Sequence, residues 1–266
     1  MLILKYIILG IIQGITEPLP ISSSGHLVLA KAIIDIETQG SVVELLVHFG
    51  SLLAILFYYR KDILDLIFSF FSFLFKKEEK AKNNFMYAWK LVVATLPAGI
   101  IGLLFKDYIE EFMQSPVYVG FALIFTSIVI FISSRVTTTK SQEDITFVDA
   151  IKIGFMQMVA LVPGISRSGS TTCAGMLCGI KREDSMRFSF MLFIPIGFFA
   201  CLSGIPDFIS TDFTVLGLPY LFCFIASVIT TYLALSLLSN LLKSNKYIYF
   251  SYYCLVVGIM AVLFLR

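Results

Sequence analysis

The sequence predicts an all-α integral membrane protein built as an inverted-topology repeat, each half a re-entrant helical hairpin followed by three transmembrane helices. Three observations predict it. The 266 residues are 58% hydrophobic and 14% charged, with 26 Phe, whereas a soluble domain carries closer to about 25% charged residues. Many apolar runs approach the roughly 20 residues that cross a bilayer. Two polar strings inside those runs also repeat each other: GIIQGITEPLPISSSGH, Gly10 to His26, and GFMQMVALVPGISRSGS, Gly154 to Ser170. Gly10, Gln13, Ile21, Ser22, Ser24 and Gly25 each meet their own residue type 144 positions later, at Gly154, Gln157, Ile165, Ser166, Ser168 and Gly169. Duplicated Ser- and Gly-rich breaks within apolar segments mark two discontinuous helices that meet at a polar site.

The elements follow in order within a single membrane domain. The first repeat occupies 1–135 and the second 145–266. Region 2–36 is apolar but interrupted at Pro18–Gly25, and each half is too short to cross alone, so a re-entrant hairpin is expected. Non-helical backbone at membrane depth survives only where protein or a water-filled cavity shields it. The apolar N-terminus runs directly into the polar motif without a small-residue cleavage site, which reads as a retained segment and not a signal peptide. Spans are expected at about 43–59, 86–105 and 116–134. The second hairpin, 147–180, is interrupted at Pro163–Gly169 and precedes spans at about 187–203, 216–240 and 247–265.

Loop charges set the orientation. Loop 60–85 contains Arg60, Lys61, Lys76, Lys77, Lys80 and Lys82, which assigns it to the cytoplasm. Loops 135–146, 181–187 and 241–246 are also basic, while 106–115 sets Lys106 against Asp107, Glu110 and Glu111, and 204–215 carries Asp207 and Asp212 with no basic residue. Counting back, the first hairpin opens on the outer side and the second enters from inside. Two homologous hairpins inserted from opposite faces form an inverted repeat whose broken tips approach one another near the membrane interior.

Composition also excludes several classes. A net charge of +2 without a basic stripe argues against nucleic-acid binding. The five cysteines are odd in number and contain no CxxC, which argues against a disulfide framework or a zinc site.

The candidate site lies at the two tips. After each Ser-x-Ser-Gly a half-helix begins, with Ser24 or Ser168 expected to cap it. Helix N-termini, with unpaired N–H groups and partial positive charge, favour anions. Ser22, Ser24, Gly25, Ser166, Ser168 and Gly169 then line a phosphate-binding cradle, and Thr171 and Thr172 add hydroxyls in the first turn of the second half-helix. Arg167 stands in an apolar hairpin, where an unpaired charge costs at least ~2.5 kcal/mol; a guanidinium among hydroxyls suits a phosphate, and a structural ion pair with Glu17 is the alternative. Glu17 follows Gln13 by one helical turn and shares its face. An intramembrane carboxylate reads as proton carrier, general base or metal ligand. His26, directly after the Ser-Ser-Ser-Gly break, can shuttle a proton to a phosphoester oxygen. Ser23, whose counterpart in the repeat is Arg167, is a nucleophile or, equally, an orienting hydroxyl beside an activated water. Glu44 and His48 stand four apart and either line the entrance or bond to each other.

At QGITE (Gln13–Glu17), PISSSGH (Pro20–His26) and PGISRSGST (Pro163–Thr171) the chain resembles the undecaprenyl-diphosphate phosphatase family, also called the bacitracin-resistance protein family. The resemblance implies hydrolysis of a polyprenyl diphosphate to the monophosphate and inorganic phosphate, which recycles the lipid carrier of cell-wall glycans. It further implies a multi-pass cell-membrane protein whose site opens to the outer face, and bacitracin acting on the same lipid. The family's acid, His and Arg carry over onto Glu17, His26 and Arg167, and its serines onto Ser22 and Ser23. The family is reported to need a divalent cation, Mg2+ or Ca2+, for which Glu17 is the expected ligand. Gln13 departs from relatives that carry Glu there, so a two-carboxylate scheme does not transfer. A polyprenyl-phosphate transporter or flippase using the same inverted-repeat site is the rival function, and a homodimer is compatible with the sequence.

Overall fold

The computed structural model describes residues 1–36, 42–112, 115–211, 213–243 and 246–265, without the side chains of 106–112, 215 and 239–243. The expected acidic balance of 106–115, Asp212 and much of the 241–246 loop therefore lies outside the described residues. Among those that are described, every regular element is helical, apart from one isolated bridge between Lys140 and Ile180.

The first interrupted region forms α1 (Leu2–Thr16) and α2 (Ser23–Ile34), and the second forms α7 (Phe147–Val159) and α8 (Arg167–Leu177). Local chemistry explains the boundaries. Thr146 caps α7 by accepting from the Asp149 N–H at 3.1 Å, and the Asp149 carboxylate returns the bond to the Thr146 N–H. The half-helices are capped two residues earlier than the sequence suggests. Ser22 Oγ accepts from Gly25 N at 3.2 Å and Ser166 Oγ from Gly169 N at 3.0 Å. An N-cap hydroxyl reaches the third N–H beyond it, and in both strings that residue is the glycine.

The remaining expected spans are helices: α3 (Val42–Tyr58), α5 (Lys82–Phe112), α6 (Pro116–Ser133), α9 (Arg182–Ser203), α11 (Phe213–Lys243) and α12 (Ile248–Phe264). Among the described residues, four segments are long and apolar enough to cross a membrane, with a fifth if α3 and the helix after it count as one bent span. At 17 residues each, α3 and α12 cover about 26 Å at 1.5 Å per residue.

That following helix is a correction. The stretch expected as cytoplasmic loop 60–85 contains α4 (Arg60–Lys76), bent 72° from α3, and a short 3-10 turn at Glu79–Ala81. Lysines cluster at its ends while its middle carries apolar residues at helical spacing. One face packs Phe70 and Phe73 on Phe85 of α5 with ring centroids 4.9 and 4.8 Å apart, and the other leaves Phe68 and Phe75 exposed. A one-turn helix, α10 (Ile205–Ser210), sits in the expected loop 204–215.

Packing runs between the two halves of the chain. Helix α1 lies along α11 and α7 along α5, while α6 pairs with α12. Small residues permit this closeness. A Cβ added at Gly10 would stand 2.2 Å from the Cys223 carbonyl oxygen, and one at Gly154 would stand 2.6 Å from that of Ala94. Among the described residues, three buried apolar clusters fill the spaces, the largest joining Leu123 and Ile130 of α6 to Phe190 and Phe193 of α9.

Candidate active site where the helix breaks meet

Each break grips the other through equivalent serines. Ser24 Oγ accepts from the Gly164 N–H of the second break at 3.4 Å, and Ser168 Oγ donates to the Leu19 carbonyl of the first at 3.1 Å. The glycines admit this approach: a Cβ at Gly25 would lie 3.1 Å from Gly164 Cα, and one at Gly169 would lie 3.2 Å from the Pro20 carbonyl oxygen. The expected meeting of the two tips is therefore present. The first break is also strained, since Ser22 holds φ at +69°, a region that costs a non-glycine residue about 1–3 kcal/mol.

Glu17 is the hub. It is 6% exposed and stands where α1 ends. Its Oε1 accepts from Arg167 Nη2 at 2.8 Å. Its Oε2 accepts from Ser23 Oγ at 2.5 Å and from Gln13 Nε2 at 2.9 Å. The second Gln13 amide hydrogen points to His48 Nδ1 at 3.0 Å, and because an amide NH2 only donates, Nδ1 is the acceptor. His48 Nδ1 lies 3.5 Å from Glu17 Oε2.

Arg167 is held on three sides. Besides Glu17 it donates from Nη1 to the Ser189 carbonyl at 3.3 Å, and its guanidinium lies 4.2 Å over the Phe193 ring. The ion pair given above as an alternative to phosphate binding exists. It leaves donors unused, because the guanidinium carries five N–H groups and stands at the first residue of α8, where helical N–H groups also lack intrahelical partners.

Other expected site residues lie elsewhere. His26 does not reach Glu17: Nδ1 is 2.7 Å from the Ser22 carbonyl oxygen and Nε2 is 2.9 Å from the Tyr253 hydroxyl of α12. Thr171 Oγ1 donates back to the Arg167 carbonyl at 2.9 Å and meets Ser189 Oγ at 2.6 Å, so it braces the Arg167 turn. Glu44 pairs with Lys31 and leaves His48 to the Gln13–Glu17 cluster. Sequence reasoning missed Tyr253, Ser189, Phe193 and the partner of His48. Only His48 carried a signal, a lone imidazole at the start of a span.

For a divalent cation, no group of three or more His, Cys, Asp or Glu forms among the described residues. Gln13 Oε1 is nevertheless buried with no hydrogen-bond partner. An unsatisfied amide oxygen one turn from a carboxylate offers the hard oxygen donors that Mg2+ and Ca2+ prefer, so these residues fit such an ion as part of a shell and not as a complete one.

The broken helices, their reciprocal serine contacts and the Ser–carboxylate–guanidinium cluster define a multi-pass membrane protein with a buried polar cluster at the junction of two helix breaks. It belongs to the family described as bacitracin resistance protein BacA, which matches residues 6–260. Curated relatives include undecaprenyl-diphosphatase 2 of Bacillus thuringiensis, 44% identical over 264 residues, covering 99% of this chain and 98% of the relative. Undecaprenyl-diphosphatase 1 of Bacillus licheniformis is 44% identical over 266 residues with the same coverage. The undecaprenyl-diphosphatase of Oceanobacillus iheyensis is 41% identical over 266 residues, 99% of this chain and 97% of the relative.

Proposed function

We propose that this protein hydrolyses undecaprenyl diphosphate, or a polyprenyl diphosphate like it, to the monophosphate and inorganic phosphate. The observation that carries the reading is the 2.5 Å bond from the Ser23 hydroxyl to Glu17, itself paired with Arg167. A hydroxyl that donates to a carboxylate at the N-terminus of a half-helix is arranged to become an alkoxide facing a phosphate.

In the reaction, Arg167 and the first-turn N–H groups of α2 and α8 hold the terminal phosphate and neutralise its developing charge. Ser23 Oγ attacks phosphorus, its proton passes to Glu17 Oε2, and the anhydride P–O bond breaks to release the lipid monophosphate. Water then attacks the phosphoserine, Glu17 returns its proton to Ser23 Oγ as the P–O bond to serine breaks, and the protons of the water leave with inorganic phosphate, so that Ser23 and the Glu17 carboxylate are regenerated. With Nδ1 tied to the Ser22 carbonyl, His26 has Nε2 with which to take up or return a proton at a phosphate oxygen. Ser22, Ser24, Ser166 and Ser168 keep the two tips locked and capped, while Gly25 and Gly169 let them approach. Gln13 and Glu17 would hold a divalent cation together with diphosphate oxygens. When bound, it neutralises charge on the diphosphate.

The two repeats, 1–135 and 145–266, are read as inverted copies. Two reciprocal contacts support this. Ser127 Oγ donates to the Ser251 carbonyl at 2.7 Å while Ser251 Oγ donates to the Ser127 carbonyl at 2.9 Å. A Cβ at Gly120 would meet the Gly258 carbonyl oxygen at 2.8 Å and one at Gly258 would meet that of Gly120 at 2.7 Å. Equivalent helices related by a two-fold axis in the membrane plane produce such exchanges. With the basic ends of α4 in the cytoplasm, the first hairpin, and with it the site, opens outward. Hydrolysis at that face removes the diphosphate lipid on which bacitracin acts. One chain carries every group the reading uses, so a homodimer adds nothing to the chemistry. A lipid carrier would need the same two-fold frame, but it needs no hydroxyl bonded to a carboxylate, which favours hydrolysis.

The test is phosphate release from undecaprenyl diphosphate by purified protein in detergent, with wild type beside Ser23→Ala. Wild type should turn over, and quenched wild-type samples should carry one phosphate by intact mass. Ser23→Ala should lose at least about a thousandfold in rate. A Ser23→Ala rate near wild type would remove Ser23 as nucleophile and leave an activated water; binding without any phosphate release would return the protein to the carrier reading.

A further inference from the structure

The His26 ring is held by groups outside the Glu17 cluster. A carbonyl oxygen only accepts, so the 2.7 Å contact with Ser22 puts a hydrogen on Nδ1. In the neutral ring Nε2 then presents its lone pair, and the Tyr253 hydroxyl at 2.9 Å donates to it. The two rings are also stacked, with centroids 5.6 Å apart and planes within 9°. Tyr253 is 44% exposed on α12 and lies 227 residues from His26 along the chain, outside both repeated strings.

We propose that Tyr253 is a positioning residue for the hydrolysis, fixing the plane of His26 and the direction of its one exchangeable nitrogen. The inference rests on the hydrolase reading and extends it to a residue that the repeated motifs do not contain. With Nδ1 tied to the main chain, Nε2 is the sole ring atom left to exchange a proton with a phosphate oxygen. The stacked phenol sets the ring plane and its hydroxyl sets where Nε2 points. A hydroxyl suits this task because it donates to Nε2 of the neutral ring without holding the ring charged, and can yield that nitrogen to an incoming phosphate oxygen. A carboxylate would hold the ring charged, and a phenylalanine would fix the plane alone.

The chain has two histidines, so isotope-labelled histidine gives nitrogen resonances that the His26→Gln spectrum, or the His48→Gln spectrum, assigns. In detergent, His26 should be in the Nδ1–H form with a hydrogen-bonded Nε2, and Tyr253→Phe should move the Nε2 resonance while leaving Nδ1 in place. In the same variant kcat for phosphate release should fall about five- to tenfold, the worth of one neutral hydrogen bond, with KM within about twofold. An unmoved Nε2 resonance, an unchanged kcat, or a loss carried by KM alone would overturn the assignment. Wild type that releases no phosphate would sink the hydrolase reading instead, and the resonances would still decide the contact.

Discussion

Replacing Arg167 by lysine separates the two roles of this residue. The guanidinium makes a 2.8 Å bond to Glu17 Oε1, a 3.3 Å bond to the Ser189 carbonyl, and lies 4.2 Å over Phe193. An ammonium keeps the charge and reaches Glu17, but it has no planar fork with which to hold Glu17, Ser189 and a phosphate together. A charge-assisted hydrogen bond is worth about 1.5–3 kcal/mol, and stacking on a ring adds about 0.5–1 kcal/mol or more. If both are lost at the transition state, roughly 2–4 kcal/mol disappears, about 30- to 1000-fold in kcat/KM. Alanine is the poorer probe, because it strands the 6%-exposed Glu17 carboxylate without a counter-charge, and breaking a buried pair costs about 3–5 kcal/mol of stability. The assay is phosphate release from undecaprenyl diphosphate in detergent, read beside the thermal midpoint of each variant. Arg167→Lys should keep a midpoint near wild type and lose at least about 30-fold in kcat/KM. A value within about threefold of wild type would refute the clamp, and a loss matching only the unfolded fraction would leave Arg167 as a structural ion partner.

The remaining predictions concern packing and the cation. Gly258→Val sets a branched side chain against the Gly120 carbonyl oxygen, 2.7 Å from the new Cβ, and overpacking of this kind costs about 1–3 kcal/mol. Its thermal midpoint should fall, and an unchanged midpoint would contradict the close α6–α12 contact. Chelating divalent cations should stop phosphate release, and Gln13→Leu should raise the Mg2+ or Ca2+ concentration that restores half of the activity; equal requirements in the two proteins would exclude Gln13 Oε1 as a ligand.

Part of the site was legible because its signals are local. Gln13 and Glu17 share a face by one helical turn, and the pair does meet through a 2.9 Å bond. Ser23 and Arg167 occupy equivalent positions in the repeat, and both converge on Glu17. The caps were misplaced by two residues because Ser22 and Ser24, like Ser166 and Ser168, are the same residue type on either side of the helix start. Which hydroxyl turns inward depends on the backbone at the break, where Ser22 adopts a positive φ. His26 was expected among the acid and arginine, yet its side chain runs to α12, since sequence neighbours on a helix start can face different elements.

The sequence by itself determined the membrane class, the positions of the long helices, the two breaks and the residue types gathered at them. Run length, charge and repeat spacing are properties of consecutive residues, and the bilayer penalises any other arrangement of them. Only the tertiary structure decided that α4 is a helix packed on α5, that Lys31 takes Glu44 and frees His48 for Gln13, and that Tyr253 completes His26. Those choices rest on which side chains meet across tens to hundreds of residues, and such meetings are set by how small residues let α1, α6 and α7 approach their partners in the other half of the chain.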